Sequence, residues 1–150
     1  MATLTTESDK AIDQLNSLLR GEISSVETYR QALDKAGDLA DSIKTMLRAL
    51  SQDHAENAQR LRQEILWLGG DADDSAGIWG AWAKTLEGLA ALFGDNASLK
   101  VLKEGEEHGL KDYEEALDDL PSSTRTMVLA TMIPAQRRHI RTLDDLLSAI

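Results

Sequence analysis

Four stretches of this chain place core-type residues at alternating steps of three and four, and no other feature limits its fold so strongly. The first runs Leu15, Leu18, Glu22, Ser25, Tyr29, Ala32 and Ala36, widened by Leu19, Val26 and Leu33. This is the spacing of one face of an α-helix. The second carries Ile43, Leu47, Leu50, His54, Ala58, Leu61, Ile65 and Leu68 on one face. The third repeats the steps of the first with Leu99, Leu102, Glu106, Gly109, Tyr113, Ala116 and Leu120. The fourth presents Val128, Met132, Ala135, His139, Leu143, Leu146 and Ile150. Punctuation fits these spans. Thr6 or Ser8 can cap the first helix and Gly37 stops it, Gly69-Gly70 ends the second, Asp95 caps the third, and Pro121-Ser122-Ser123 separates the last two. Pro134 lies inside the fourth helix and is expected to kink it, because its ring removes one hydrogen bond and clashes with the preceding turn.

The fold class is therefore all-α, one domain over 1–150, with helices at about 8–36, 38–68, 95–120 and 122–149. The short turns near 37 and 121 force two antiparallel hairpins. Between them Gly69 to Gly77 reads as a polar loop, and about 78–93 as a short amphipathic helix with Trp79, Trp82, Leu86, Leu89 and Phe93 on one side. Such a crossover helix spans roughly 24 Å, long enough to return the chain along the bundle, as in four-helix bundles with one long crossover. The two hairpins resemble each other: Gly21-Glu22 with Tyr29, Ala32 and Leu33 recurs as Gly105-Glu106 with Tyr113, Ala116 and Leu117.

Composition agrees and narrows the function. Six aromatics and two prolines in 150 residues argue against an all-β domain. A net charge of -10 opposes nucleic acid and anionic membrane surfaces. With no cysteine, disulfides, thiol catalysis and thiolate metal sites are excluded. The N-terminus lacks a basic and apolar leader, and no run approaches 18 apolar residues, so the expected location is cytoplasmic with no membrane partner.

Each long helix carries one ionisable residue in its core stripe: Glu22, His54, Glu106 and His139. Counted from the turns they lie at similar heights, within roughly 3 to 5 Å in each hairpin. Two carboxylates and two imidazoles thus converge at mid-bundle. Isolated carboxylates in an apolar core would cost several kcal/mol each, so two readings stand side by side. One is a single divalent cation, Zn, Fe or Mn, held by the four residues. The other is a metal-free polar layer of two Glu–His pairs, with Tyr29 and Tyr113 donating hydrogen bonds, that fixes helix register.

These residues resemble the ferritin-like superfamily, including rubrerythrins, over essentially the whole chain. In that superfamily a Glu ligand is followed seven residues later by Tyr, as in Glu22 and Tyr29 and again in Glu106 and Tyr113. Its second and fourth helices carry Glu-x-x-His, where this chain has Ser51-Gln52-Asp53-His54 and Gln136-Arg137-Arg138-His139. Both histidines match and both bridging glutamates are gone. Two irons need about six protein ligands with carboxylates between them, so the resemblance implies a one-metal or degenerate site rather than a di-iron oxidase. Asp53 is a poor substitute, pointing roughly 100° away from His54 on an ideal helix. Tyr29, Ser51, Tyr113 and Gln136 are expected to support the ligands with hydrogen bonds. More narrowly, Leu-Leu-Arg-Gly-Glu, Val-Glu-Thr-Tyr-Arg-Gln-Ala-Leu and Lys-Glu-Gly-Glu-Glu-His resemble a bacterial family of ferritin-like bundles with no assigned function, some of whose members are linked to stress responses.

The remaining features read as surface. Glu104, Glu107 and His108 form a solvated helix face, and Asp71, Asp73 and Asp74 a polar turn without the spacing of a calcium loop. Trp67, Trp79 and Trp82 pack the crossover against the bundle or else form a homodimer contact. Arg137, Arg138 and Arg141 pair with acidic neighbours. Neither a nucleophile triad nor a phosphate-binding loop is present.

Overall fold

The computed structural model describes residues 2–34, 39–74 and 95–149. Four long helices account for nearly all of them. The first, α1, spans Ala2–Asp34. It begins well before the expected start, and Thr6 and Ser8 lie inside it rather than at a cap. Nothing between residues 2 and 8 is a glycine or proline that would break it. Gly37 lies outside the described residues.

The second helix, α2, spans Asp41–Trp67. Ala40 stands at its cap position, and the Ala40 carbonyl accepts from the Ile43 and Lys44 amides at 3.0 and 3.1 Å. At the other end Gly69 adopts φ +86°. Its amide donates to Leu66 O at 3.0 Å, and the Gly70 amide donates to Ile65 O at 2.9 Å. These two bonds make a Schellman cap, in which a left-handed residue satisfies the last carbonyls. Gly70 also packs against α1, where an added Cβ would meet Ile12 at 2.7 Å. Gly69→Ala is expected to destabilise the protein by about 1–2 kcal/mol, because only the left-handed backbone closes the cap. Thermal unfolding of the variant checks this.

The third helix, α3, spans Asp95–Ala116 and tightens into a 3-10 turn over Leu117–Asp119. Leu120 is extended ahead of Pro121, as the ring of a following proline demands. The Arg125 guanidinium donates to Leu117 O and Leu120 O at 3.0 and 3.2 Å, satisfying carbonyls left over at the end of α3. The fourth helix, α4, runs through 122–149 in three parts. Ser122–Met127 is α-helical, Val128–Met132 is a π turn and Ile133–Ala149 is α-helical again. Just ahead of Pro134, where a kink is expected, the helix carries a π turn. The wider turn makes room where the Pro134 ring would meet the Ala130 carbonyl.

Side-chain pairs fix the topology. Glu22 meets His54 on α2 and Tyr113 on α3, while Asn16 meets residues 71 and 73 and Gln14 meets Asp119. So α1 is antiparallel to both α2 and α3. On α4, Asp144 pairs with Lys103 and Arg137 with Glu114, so α3 and α4 are also antiparallel. Because α2 and α3 run the same way, the end of α2 and the start of α3 lie at opposite ends of the bundle. The expected helix at 78–93, with Trp79 and Trp82, lies outside the described residues. The polar loop is docked before that point: Asn16 Nδ2 donates to Asp71 O and the Asp73 amide donates to Asn16 Oδ1, both at 2.9 Å, and Arg20 pairs with Asp73. Trp67 is 74% exposed. Among the described residues no helix is long and apolar enough to cross a membrane.

The core falls into two apolar clusters. One gathers Leu15, Leu19, Leu61, Ile65, Val128 and Met132. The other gathers Ile43, Leu47, Leu50, Leu99, Leu102 and Leu143. Each fully buried aliphatic side chain stabilises by roughly 1.5–3 kcal/mol. Between the two clusters lies a polar layer.

Candidate metal centre

Glu22, His54, Glu106 and His139 meet in that layer, each no more than 3% exposed. Their convergence follows from the stripe positions: each occupies a site where its helix would otherwise bury an aliphatic residue. His54 stands at the middle. Its Nδ1 donates to Glu22 Oε2 and its Nε2 to Glu106 Oε1, both at 2.6 Å. Tyr113 donates to Glu22 Oε1 and Tyr29 to Glu106 Oε1, again at 2.6 Å. Each tyrosine therefore serves the glutamate of the other hairpin. The two Glu–His pairs expected for a metal-free layer are both in contact, as Glu22–His54 and Glu106–His139, and His54 also joins them. One imidazole bridges both carboxylates, because a ring with two opposed N–H groups neutralises a carboxylate on each side at once.

Electrostatics follow from this geometry. Burial on its own pushes the His54 pKa down, but the Glu106 and Glu22 carboxylates outweigh it and raise the value well above 6.5. His54 is thus an imidazolium at neutral pH and donates from both nitrogens. Burial likewise opposes ionisation of Glu106, yet His54 and His139 hold its carboxyl far below the usual range. Tyr29 and Tyr113 are pushed up by burial and then by the adjacent carboxylates, so they remain O–H donors.

His139 is placed differently. Its Nε2 lies 3.0 Å from Asp53 Oδ2 and its Nδ1 lies 3.3 Å from Glu106 Oε2. His139 thus lies between the exposed Asp53 carboxylate and the buried Glu106 carboxylate, in contact with both. The 3.3 Å separation equals the edge of a tetrahedron with bonds of roughly 2.0–2.1 Å. His54, Glu106 and His139 offer ligand atoms within 4.8 Å of one another, and all three are buried. The donor set fits one ion such as Zn, Fe or Mn, with Asp53 orienting His139 in the way outer carboxylates orient metal-bound imidazoles. His54 has to turn away from one carboxylate to take part.

Asp53 lies off the His54 face as expected and takes up a contact of its own. The angle of 100° takes its side chain off the His54 face but across the seam to α4, where it reaches the histidine of the other hairpin. Proximity on one helix could not show this. Of the four residues expected to support the ligands, Tyr29 and Tyr113 bond to the carboxylates, and Gln136 Nε2 donates to the Glu106 carbonyl at 3.0 Å. Gly109 makes room for that amide, since a Cβ there would meet Gln136 Nε2 at 2.7 Å. Ser51 is half-buried and makes no hydrogen bond to the centre. Away from the centre, the His108 side chain is 50% exposed and faces Asp112 at 3.6 Å, on a solvated helix face.

Comparison with known proteins agrees with the architecture. No curated protein matches this chain. A solved structure described as ferritin-like, diiron-carboxylate proteins from Bacillus anthracis str. Ames superposes with a TM-score of 0.71 and 21% identity, covering 94% of this chain and 97% of that one. The fold is thus ferritin-like. Residues 10–119 match the family described as Domain of unknown function (DUF2383). Ferritin-like in fold and matched over most of its length, the chain belongs to the DUF2383 family.

Proposed function

We propose that this protein binds one divalent transition-metal ion, Zn, Fe or Mn, between His54, Glu106 and His139. The observation that carries the reading is the set of three buried side chains with ligand atoms within 4.8 Å of one another, two of them, Glu106 Oε2 and His139 Nδ1, 3.3 Å apart. The similar structure from Bacillus anthracis, described as diiron-carboxylate, supports a metal in a bundle of this fold. A single ion suits this chain better than two, because Ser51 and Gln136 stand where bridging carboxylates would be needed. Glu22 holds His54 from its other nitrogen and becomes a ligand only if His54 moves.

Titrating metal-free protein with Zn2+, Mn2+ and anaerobic Fe2+ in a calorimeter tests the proposal. One equivalent taken up by the parent and none by a Glu22→Ala, Glu106→Ala double variant is the expected result. An unchanged stoichiometry in that variant, or no uptake by the parent, overturns it. One observation favours a second reading, a metal-free polar layer: all four oxygens of Glu22 and Glu106 already have partners within the protein. That layer fixes register without any ion.

A further inference from the structure

The centre is sealed along the bundle axis. The two apolar clusters lie on either side of it, and drawing a bare cation through packed leucines carries a Born penalty of order 20 kcal/mol. A cation must therefore arrive from the side, between two helices.

Two lateral features reach the centre. The first is a cavity between α1 and α3, of about 20 Å³, bordered by Gly21, Glu22, Gly105, Gly109, Tyr113 and Gln136. It has room for about one water molecule. It touches Glu22, which lies outside the three-ligand group. The second is Asp53, on the α2–α4 seam. Its carboxylate contacts His139 Nε2 at 3.0 Å, and its side chain is 47% exposed whereas His139 is 1% exposed. The hydrogen-bonded chain runs Asp53, His139, Glu106, His54, Glu22. Asp53 is the one member of it that solvent reaches.

We propose that Asp53 is the door of the centre: a divalent cation is first captured by its exposed carboxylate and passes along His139 to Glu106. The inference rests on the metal-binding reading above. It adds a route and a residue that act on rate. A carboxylate at the mouth of a site raises the local cation concentration and the association rate by tenfold or more, an effect that salt screens. Asp53→Asn removes the charge and keeps an oxygen able to accept from His139, so it separates capture from orientation.

The test is stopped-flow uptake of Co2+ by metal-free protein, followed by the absorbance of the bound ion at several salt concentrations. For Asp53→Asn the association rate is expected to fall about tenfold and to lose most of its salt dependence, while one equivalent still binds. Ser25→Val, which narrows the glycine-lined cavity, is expected to leave the rate unchanged. An unchanged association rate in Asp53→Asn overturns the proposal, as does slowing confined to the cavity variant. If the parent takes up no Co2+ at all, the metal-binding reading itself fails and this inference with it.

Discussion

Replacing Glu106 with alanine is expected to lower the melting temperature of the metal-free protein by roughly 10 °C and to abolish cation uptake. Tyr29, His54 and His139 all direct a polar atom at this carboxylate. Its removal strands these groups in a layer bounded by leucines. Breaking a buried charged pair from one side costs about 3–5 kcal/mol, and a chain of this size loses about 2–4 °C per kcal/mol. Glu106→Gln keeps an acceptor for Tyr29 and the volume of the side chain. It is expected to recover at least half of the lost stability while still binding no ion. Thermal unfolding by circular dichroism, with a Zn2+ titration of both variants, checks this. A Glu106→Ala protein that melts with the parent would show that the polar layer contributes nothing to the fold.

The second large effect concerns pH, and its sign differs between the metal-free and metal-bound forms. In the metal-free protein the His54 pKa is raised from 6.5 by Glu106 and Glu22 acting against burial. The stability this supplies is fully present below about pH 6.5 and is lost as pH rises through the folded value. The Glu106 pKa is depressed from 4.5, by His54 and His139 acting against burial. Its contribution is present above about pH 4.5 and is lost as pH falls through the folded value. The metal-free melting temperature is thus expected to be highest between about pH 4.5 and 6.5 and to decline on the alkaline side. Metal binding responds in the opposite way, since His54 must give up a proton before a nitrogen can ligate. Affinity for Zn2+ is expected to rise about tenfold per pH unit up to the folded pKa of His54, with one proton released per ion. Calorimetry in two buffers of different ionisation enthalpy counts that proton. A pH-independent affinity would mean that His54 stays an imidazolium and is not a ligand.

Much of this was legible because helical period and burial are properties of the chain itself. Glu22, His54, Glu106 and His139 occupy stripe positions that face inward on any helix with this pattern, and their heights follow from counting to the turns. Gly69 was legible as a stop because the left-handed backbone of a helix cap favours glycine. Other features depended on which helix lies beside which. The crossed service of Tyr29 to Glu106 and Tyr113 to Glu22 arises from the α1–α3 contact, residues 77 and 91 positions apart. The same holds for Asp53, whose partner is 86 residues away. The start of α1 was misplaced because Thr6 and Ser8 are good caps that simply are not at the end. The π turn at Val128–Met132 has no side-chain signature of its own beyond the nearby Pro134.

The sequence by itself determined an all-helical chain of two hairpins with four ionisable residues in its core, since 3.6-residue periodicity and the cost of burying charge act locally along each helix. Only the tertiary structure decided how those residues are joined. It set His54 between the two carboxylates, turned His139 outward to Asp53, and brought three ligand atoms within 4.8 Å of one another. The rotation of one helix against the next and a rotamer of each side chain settle such contacts. They are fixed by packing of residues far apart in the chain, and no spacing along a single helix encodes them.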